Sequence, residues 1–274
     1  MSKQAQYFTI TVLGCGSSGG VPRVGNIWGA CDANNPKNRR RRCSILIRAG
    51  SNDSNFTTNI LIDTGCDIRE QLLDANITHL DAVFYTHEHA DHVHGIDDLR
   101  VLALSNKKRI EVYMAQACAK RIMATFSYCF STPKGSEYMP ILNANLIEDG
   151  VSVSINGAGG SIEILPFLQK HGNISSLGFR VGDFAYSCDL SELPLSSHKA
   201  LKGVKTWVLD ALRYKTHSCH LNVEQAMALI DELKVPKAFL TNLHIDLDYL
   251  TLSKELPNHI KPAYDGLKIE MKLE

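Results

Sequence analysis

A chain of 274 residues with 44% apolar and 21% charged residues has ordinary globular composition and enough length to bury a large core. Its 29 basic and 29 acidic residues cancel, so no overall field draws it to long nucleic acid or to an acidic membrane. No apolar run approaches the roughly 20 residues that span a bilayer, and residues 1–6 lack the pattern of a signal segment. The alternating, β-branched run 7–13 reads as a first strand, and it ends in the glycine-rich loop Gly14-Cys15-Gly16-Ser17-Ser18-Gly19-Gly20. A polar stretch then closes on Arg39, Arg40, Arg41 and Arg42, a charge run of the kind usually left in solvent. Strands follow at 44–48 and 59–62, separated by a loop at 51–55, then a helix at 67–75 and a short buried strand at 82–85.

Beyond these lie an expected helix at 94–104, a strand at 110–114, a helix at 117–126 and an aperiodic connection at 127–140. A second half begins again with strands at 141–147, 151–155 and 162–168, and a hairpin turning at Gly182-Asp183. It closes with a strand at 207–209, a well-patterned helix at 223–233 and a strand at 238–240. Strands leading and helices following, twice over, favour two sheets face to face with helices outside; a doubly wound sheet is the alternative. The eight cysteines are scattered, with no Cys-x-x-Cys pair, and fit free thiols in a reducing cytoplasm.

Chemistry concentrates at His87-Glu88-His89-Ala90-Asp91-His92, directly after the buried strand Ala82-Val83-Phe84-Tyr85. Imidazole and carboxylate in so short a window suit zinc, manganese or iron. The tip of a buried strand is also where functional loops sit, which weighs against an ordinary exposed polar loop. If extended backbone continues through the segment, His87 and His89 point the same way. Sites of this kind usually serve to ionise a bound water near neutral pH, so the segment announces a hydrolase.

The same string resembles the hallmark of the metallo-β-lactamase-fold hydrolases, and the likeness extends along nearly the whole chain. Leu61-Ile62-Asp63-Thr64-Gly65 is similar to an earlier element of that family, with Asp63 behind a ligand histidine. Lys170-His171-Gly172, Tyr186-Ser187-Cys188-Asp189 and Asn242-Leu243-His244 resemble three later ones. The resemblance implies one four-layer αββα sandwich domain over residues 1–274, carrying two divalent ions, zinc or manganese, with iron also accepted. His87, His89 and His171 would hold one ion, and Asp91, His92 and His244 the other, with Asp189 bridging. Relatives often carry a histidine where Asn242 stands, which leaves that register open by two residues. Histidine rather than glutamate at 89, and His92 itself, set the string apart from oxygen-reducing members and from many true β-lactamases.

Within the family the likeness is greatest to the branch of the phosphonate-pathway cyclic phosphodiesterase and, more distantly, tRNase Z. Gly14 to Pro22, the arginine-ending segment before Cys43, and His220-Leu221-Asn222 carry it. It implies hydrolysis of a small phosphodiester, cyclic ones included, or of a nucleotide by a metal-bridging hydroxide. His220 would act as the acid for the leaving oxygen, or else merely precede the 223–233 helix; Asp91 counts with it among the catalytic residues, and His217 is a weaker candidate. Branch members with an added structural zinc carry clustered cysteines after Trp-Gly; here Trp28-Gly29 is followed by Cys31 alone, so no such site is expected. Arg39 to Arg42 offer a phosphate contact as the alternative to solvation, and Asp97, Asp98 and Asp210 could orient ligands. Hydrolysis of a lactone, thioester or amide, or metal-dependent nucleotide binding without turnover, are the competing functions. The expected partner is a small phosphate ester, with no long nucleic acid and no membrane, and a homodimer is compatible.

Overall fold

The computed structural model describes residues 4–51 and 57–273; most of the expected 51–55 loop and the first three residues lie outside them. In chain order the strands of the first half are β1 (Tyr7–Gly14), β2 (Ser44–Gly50), β3 (Thr58–Ile62), β4 (Ala82–Phe84), β5 (Ile110–Met114) and β6 (Leu142–Leu146). The second half contributes β7 (Val153–Gly157), β8 (Gly160–His171), β9 (Ile174–Val181), β10 (Phe184–Ser187), β11 (Thr206–Asp210), β12 (Ala238–Thr241), β13 (Ile260–Pro262) and β14 (Lys268–Lys272). Helices are α1 (Ile68–Asp74), α2 (Ala90–Val93), α3 (Leu99–Ser105), α4 (Gln116–Thr125), α5 (Ser127–Phe130), α6 (Leu195–Leu201), α7 (Val223–Glu232) and α8 (Tyr249–Glu255).

Two seven-stranded sheets form, in the orders β14-β1-β2-β3-β4-β5-β6 and β13-β12-β11-β10-β9-β8-β7. Period-two alternation sorts their side chains into layers. On β2, Ile45 and Ile47 face Phe179, Phe184 and Tyr186 of the other sheet, whereas Leu46 faces outward among Ile68, Leu72 and Leu99. On β11, Val208 joins the central layer, while Trp207 and Leu209 meet Ala226 and Ile230 of α7. Three apolar layers between four layers of structure make an αββα sandwich, as the order of elements implies.

Three sequence expectations change. The strand at 141–147 completes the first sheet beside β5 instead of opening the second. The helix expected at 94–104 is broken by a 3-10 turn at Ile96–Asp98, because the Gly95 amide donates to the Thr64 carbonyl (2.8 Å) rather than continuing a helix. The final strand β14 returns to pair with β1, and the sequence reading has no strand there.

Each sheet changes from antiparallel to parallel pairing at one strand, β3 in the first and β10 in the second. Parallel neighbours end at the same edge of a sheet, where their loops gather. Asp63 follows β3, His87 follows β4, Asp189 follows β10, Asp210 ends β11 and Asn242 follows β12. A bond from the Leu177 amide of β9 to the Thr86 carbonyl (2.9 Å) ties the two edges together.

Candidate metal centre

Three residues at these strand ends have left-handed backbone: Asp63 (φ 65°), Asp189 (φ 55°) and Asn242 (φ 62°). Asp and Asn tolerate that region better than other residues with a side chain, and the turn directs each side chain inward from the strand's last peptide. A Cβ on Gly65 would lie 2.1 Å from the Asp91 carbonyl oxygen, so only glycine lets the histidine segment lie against the end of β3.

Hydrogen bonds fix the tautomers of three buried histidines. His171 Nδ1 donates to the Cys219 carbonyl (2.7 Å), and His92 Nδ1 donates to Asp63 Oδ2 (2.7 Å). His87 Nδ1 donates to Thr86 Oγ1 (3.0 Å), whose own proton goes to Asp63 Oδ2 (2.8 Å). With every Nδ1 turned to these partners, three Nε2 atoms converge on Asp189 Oδ2, at 3.5 Å from His87, 3.4 Å from His92 and 3.5 Å from His171. His87 Nε2 is buried with no hydrogen-bond partner. His89 Nδ1 adds a fourth donor, 3.2 Å from His171 Nε2.

These atoms fit a metal. The ligating atoms of His87, His89, His171 and Asp189 all lie within 4.8 Å of one another. Separations of about 3.3–3.4 Å are the edges of a tetrahedron whose corners lie about 2.0–2.1 Å from its centre, the reach of imidazole or carboxylate on zinc. Beside this set, His92 Nε2 lies 3.5 Å from Asp91 Oδ2 and 3.4 Å from Asp189 Oδ2, which marks a second candidate position around His92.

The electrostatics call for positive charge there. Burial, followed by the neighbouring imidazoles, lowers His87 well below its usual range and keeps it neutral. Burial also lowers His171. At His92 burial is outweighed by the Asp189, Asp63 and Asp91 carboxylates, which raise it. Burial opposes the charge of Asp189 too, but His92 and its fellow histidines hold that carboxyl well below the ordinary range. Asp63 is the partner that orients His92, as the sequence suggests. Asp63→Asn is expected to weaken metal retention about 10–100-fold, read as bound metal after dialysis against a chelator. Unchanged retention would refute that role.

His244 is not brought to the cluster. Its Nε2 contacts Arg23 Nη2, and its Nδ1 lies 3.0 Å from Asp246. Asn242 occupies the place beside the ligands, with Nδ2 donating to Asp189 Oδ1 (2.8 Å). The reason is the left-handed turn at Asn242, which sends residue 242 inward and leaves residue 244 at the rim.

His220 Nδ1 meets Asp210 Oδ2 at 3.0 Å, and its ring stands 4.7 Å from that of His171. Burial disfavours the His220 cation, but the hydrogen bond and charge of Asp210, then Asp189, push it up to about 9. Burial raises Asp210 to about 6 against the pull of His220, which leaves an imidazolium–carboxylate pair at neutral pH. With Nδ1 engaged, Nε2 is the nitrogen left for the cavity that His220 lines.

That cavity, of about 310 Å³, also takes its walls from His89, Asp91, His171, Asp189, Ser17, Arg23, Arg213, His217 and His244. Arg23 and Arg213 escape the sequence reading, although Arg23 follows the glycine-rich loop by three residues. The arginine run draws attention instead, and its charge is used elsewhere. Arg40 is buried, Arg41 pairs with Asp74 and Asp265, and Arg42 with Asp67. Asp97 pairs with Arg100 at the start of α3, and Cys31 donates to the carbonyls of Ile245 (3.4 Å) and Leu247 (3.5 Å).

Comparisons with known proteins bear on the family and the fold. The profile of the Beta-lactamase superfamily domain matches residues 58–245, which span every candidate ligand. An Octanoyltransferase of Porphyromonas gingivalis is 32% identical over 262 residues, 94% of this chain and 50% of that protein, so the chain spans half the length of this relative. The crystal structure of a new diphosphatase from the PhnP family superposes with a TM-score of 0.85 at 30% identity, covering 98% of this chain and 99% of that one. Human tRNase Z, short form, shares the fold, with a TM-score of 0.64 at 17% identity over 95% of this chain and 98% of its own. Zinc-bound PqqB from Methylobacterium extorquens does too, at 0.71 and 16% identity over 96% and 100%. Converging histidines, the two-sheet sandwich and the profile match lead to one conclusion: the chain belongs to the beta-lactamase superfamily, as a metallo-β-lactamase-fold hydrolase.

Proposed function

We propose that the chain hydrolyses a small phosphodiester with the help of two divalent ions, zinc or manganese, with iron an acceptable substitute. His87, His89, His171 and Asp189 would hold one, and Asp91, His92 and Asp189 the other. When bound, the ions supply a water ionised near neutral pH and positive charge for the phosphoryl oxygens. The observation that carries the reading is the His220–Asp210 pair, set beside the donor cluster in a cavity walled by Arg23 and Arg213.

Each of these groups has a task in phosphodiester cleavage. The two guanidiniums offer charge and directed donors to non-bridging oxygens. Ser17 Oγ, buried without a partner among the described residues, supplies a further donor at the cavity wall. Asp210 holds the proton on His220 Nδ1 and favours the charged ring. His220 Nε2 then carries a proton to the leaving alkoxide, which is a poor leaving group without one. The volume suits a small diester rather than long RNA.

The octanoyltransferase relative favours a second reading, acyl ester or thioester chemistry. An octanoyl chain needs an apolar wall. Among the described residues Leu212 is the one aliphatic side chain lining this cavity, and the relative's name covers twice the matched length. Eight unpaired thiols, six of them buried, suit a reducing cytoplasm.

The test offers bis(p-nitrophenyl) phosphate, a lactone panel and an octanoyl thioester to purified protein. Turnover of the diester is expected, and it should disappear with a chelator and in His89→Ala. Turnover of lactones or thioester alone would overturn the phosphodiesterase reading.

A further inference from the structure

We infer that the two metal positions are unequal: the His87-His89-His171-Asp189 position binds its ion tightly, while the Asp91-His92-Asp189 position binds weakly and exchanges, because Asn242 stands where a fourth donor is needed. The inference rests on the proposed two-ion hydrolase and specifies how that site fills.

Donor arithmetic is the first support. Three imidazoles and a carboxylate complete a tetrahedral set around one position. At the other, His92 and Asp91 join the shared Asp189 through His92, while the nearby Cys188 Sγ is engaged with Asp189 Oδ1 (3.3 Å). His220 is not counted as the fourth donor, since its Nδ1 is held by Asp210 at 3.0 Å and its Nε2 carries the proton that the proposed reaction delivers to the leaving oxygen. The Asn242 side chain reaches the cluster, but it presents Nδ2, a donor of protons and not of a lone pair, to Asp189 Oδ1 (2.8 Å).

The second support is the state of Asp189 itself. A bridging carboxylate can give one oxygen to each ion. Here Oδ1 accepts from Asn242 Nδ2 and, at 3.3 Å, from Cys188 Sγ. Oδ2 alone faces the three Nε2 atoms. One oxygen therefore serves both positions, and the poorer donor set gains least from it. Fewer imidazoles and a larger share of oxygen also make the second position the harder one, better matched to manganese than to zinc.

Residue 242 offers a direct repair. Its left-handed backbone is a conformation in which histidine, like asparagine, is enriched. Asn242→His would add an imidazole at the weak position and release Asp189 Oδ1.

Metal-stripped protein titrated with Co²⁺, followed by calorimetry and by the visible absorption of the bound ion, tests this without recourse to activity. Wild type should bind two equivalents in separate steps, the second at least about 10-fold weaker, since losing even an outer partner costs that much. His92→Ala should remove only the weak step, and His89→Ala should impair the tight one. In Asn242→His the second step should tighten at least about 10-fold. Two equal steps in wild type would overturn the inference, as would a folded Asn242→His protein with an unchanged second step. Should that variant fail to fold, the wild-type and His92→Ala titrations decide alone. No Co²⁺ binding at all would instead overturn the proposed function.

Discussion

His220→Gln is expected to slow hydrolysis of an alkyl phosphodiester by about 10²–10⁴-fold while affecting bis(p-nitrophenyl) phosphate far less. An alkoxide needs a proton as it departs, whereas p-nitrophenolate leaves unaided, so only the first reaction depends on an acid. Glutamine retains a polar group that can still reach Asp210, which lies 3.0 Å from His220 Nδ1, so the neighbouring ligands keep their support. Initial rates on both substrates, with metal content checked for each protein, make the measurement. An equal loss on both substrates would sink the acid role and leave His220 as a binding group. Asp210→Asn should show the same leaving-group pattern more weakly, because Asp210 acts through His220.

Arg40→Ala is expected to destabilise the protein by about 3–5 kcal/mol, the range for emptying a large buried site. Arg40 is 2% exposed, although it belongs to a run of four arginines. Its Nη2 donates to the Leu247 carbonyl (2.8 Å) and to Asn38 Oδ1 (3.2 Å), and its Nη1 to the His244 carbonyl (3.4 Å). Truncation would leave a cavity and strip these buried acceptors of a charged donor, a loss of about 1–3 kcal/mol for each group left unsatisfied. Arg40→Met would restore much of the volume but none of the bonds, so it should recover only part of the loss. Urea unfolding of metal-free protein is the appropriate assay, since bound metal adds its own stabilisation. A midpoint unchanged in Arg40→Ala would show that the 244–247 loop is held by other contacts.

Those two residues mark the limits of reading along the chain. His220 attracts notice from its sequence neighbourhood, but its partner Asp210, ten residues earlier at the end of β11, comes into view only in the fold. Arg40 looks like a solvated charge because its partners, the carbonyls of residues 244 and 247, lie more than 200 positions later. Arg213 carries no local mark, and Arg23 only its place three residues after the glycine-rich loop; the cavity makes them relevant by closing around both. The break in the 94–104 helix has the same origin, since Gly95 reads as a tolerable helix residue until Thr64 claims its amide.

Read along the chain, the order of elements favoured two facing sheets over a doubly wound one, most strands were legible, and the histidine string pointed to metal-assisted hydrolysis. Alternation on β2 and β11, and histidines at the tip of a buried strand, are local patterns whose physical meaning depends on few distant partners. The fold was needed to show which oxygen of Asp189 faces the imidazoles, that Asn242 and not His244 stands beside them, and that Arg23 rather than the arginine run lines the cavity. The reason is that a metal site is a set of distances of 3–4 Å among residues from different strands, fixed by backbone turns such as the left-handed one at Asn242. Spacing along one strand does not specify those distances; packing of two sheets against each other does.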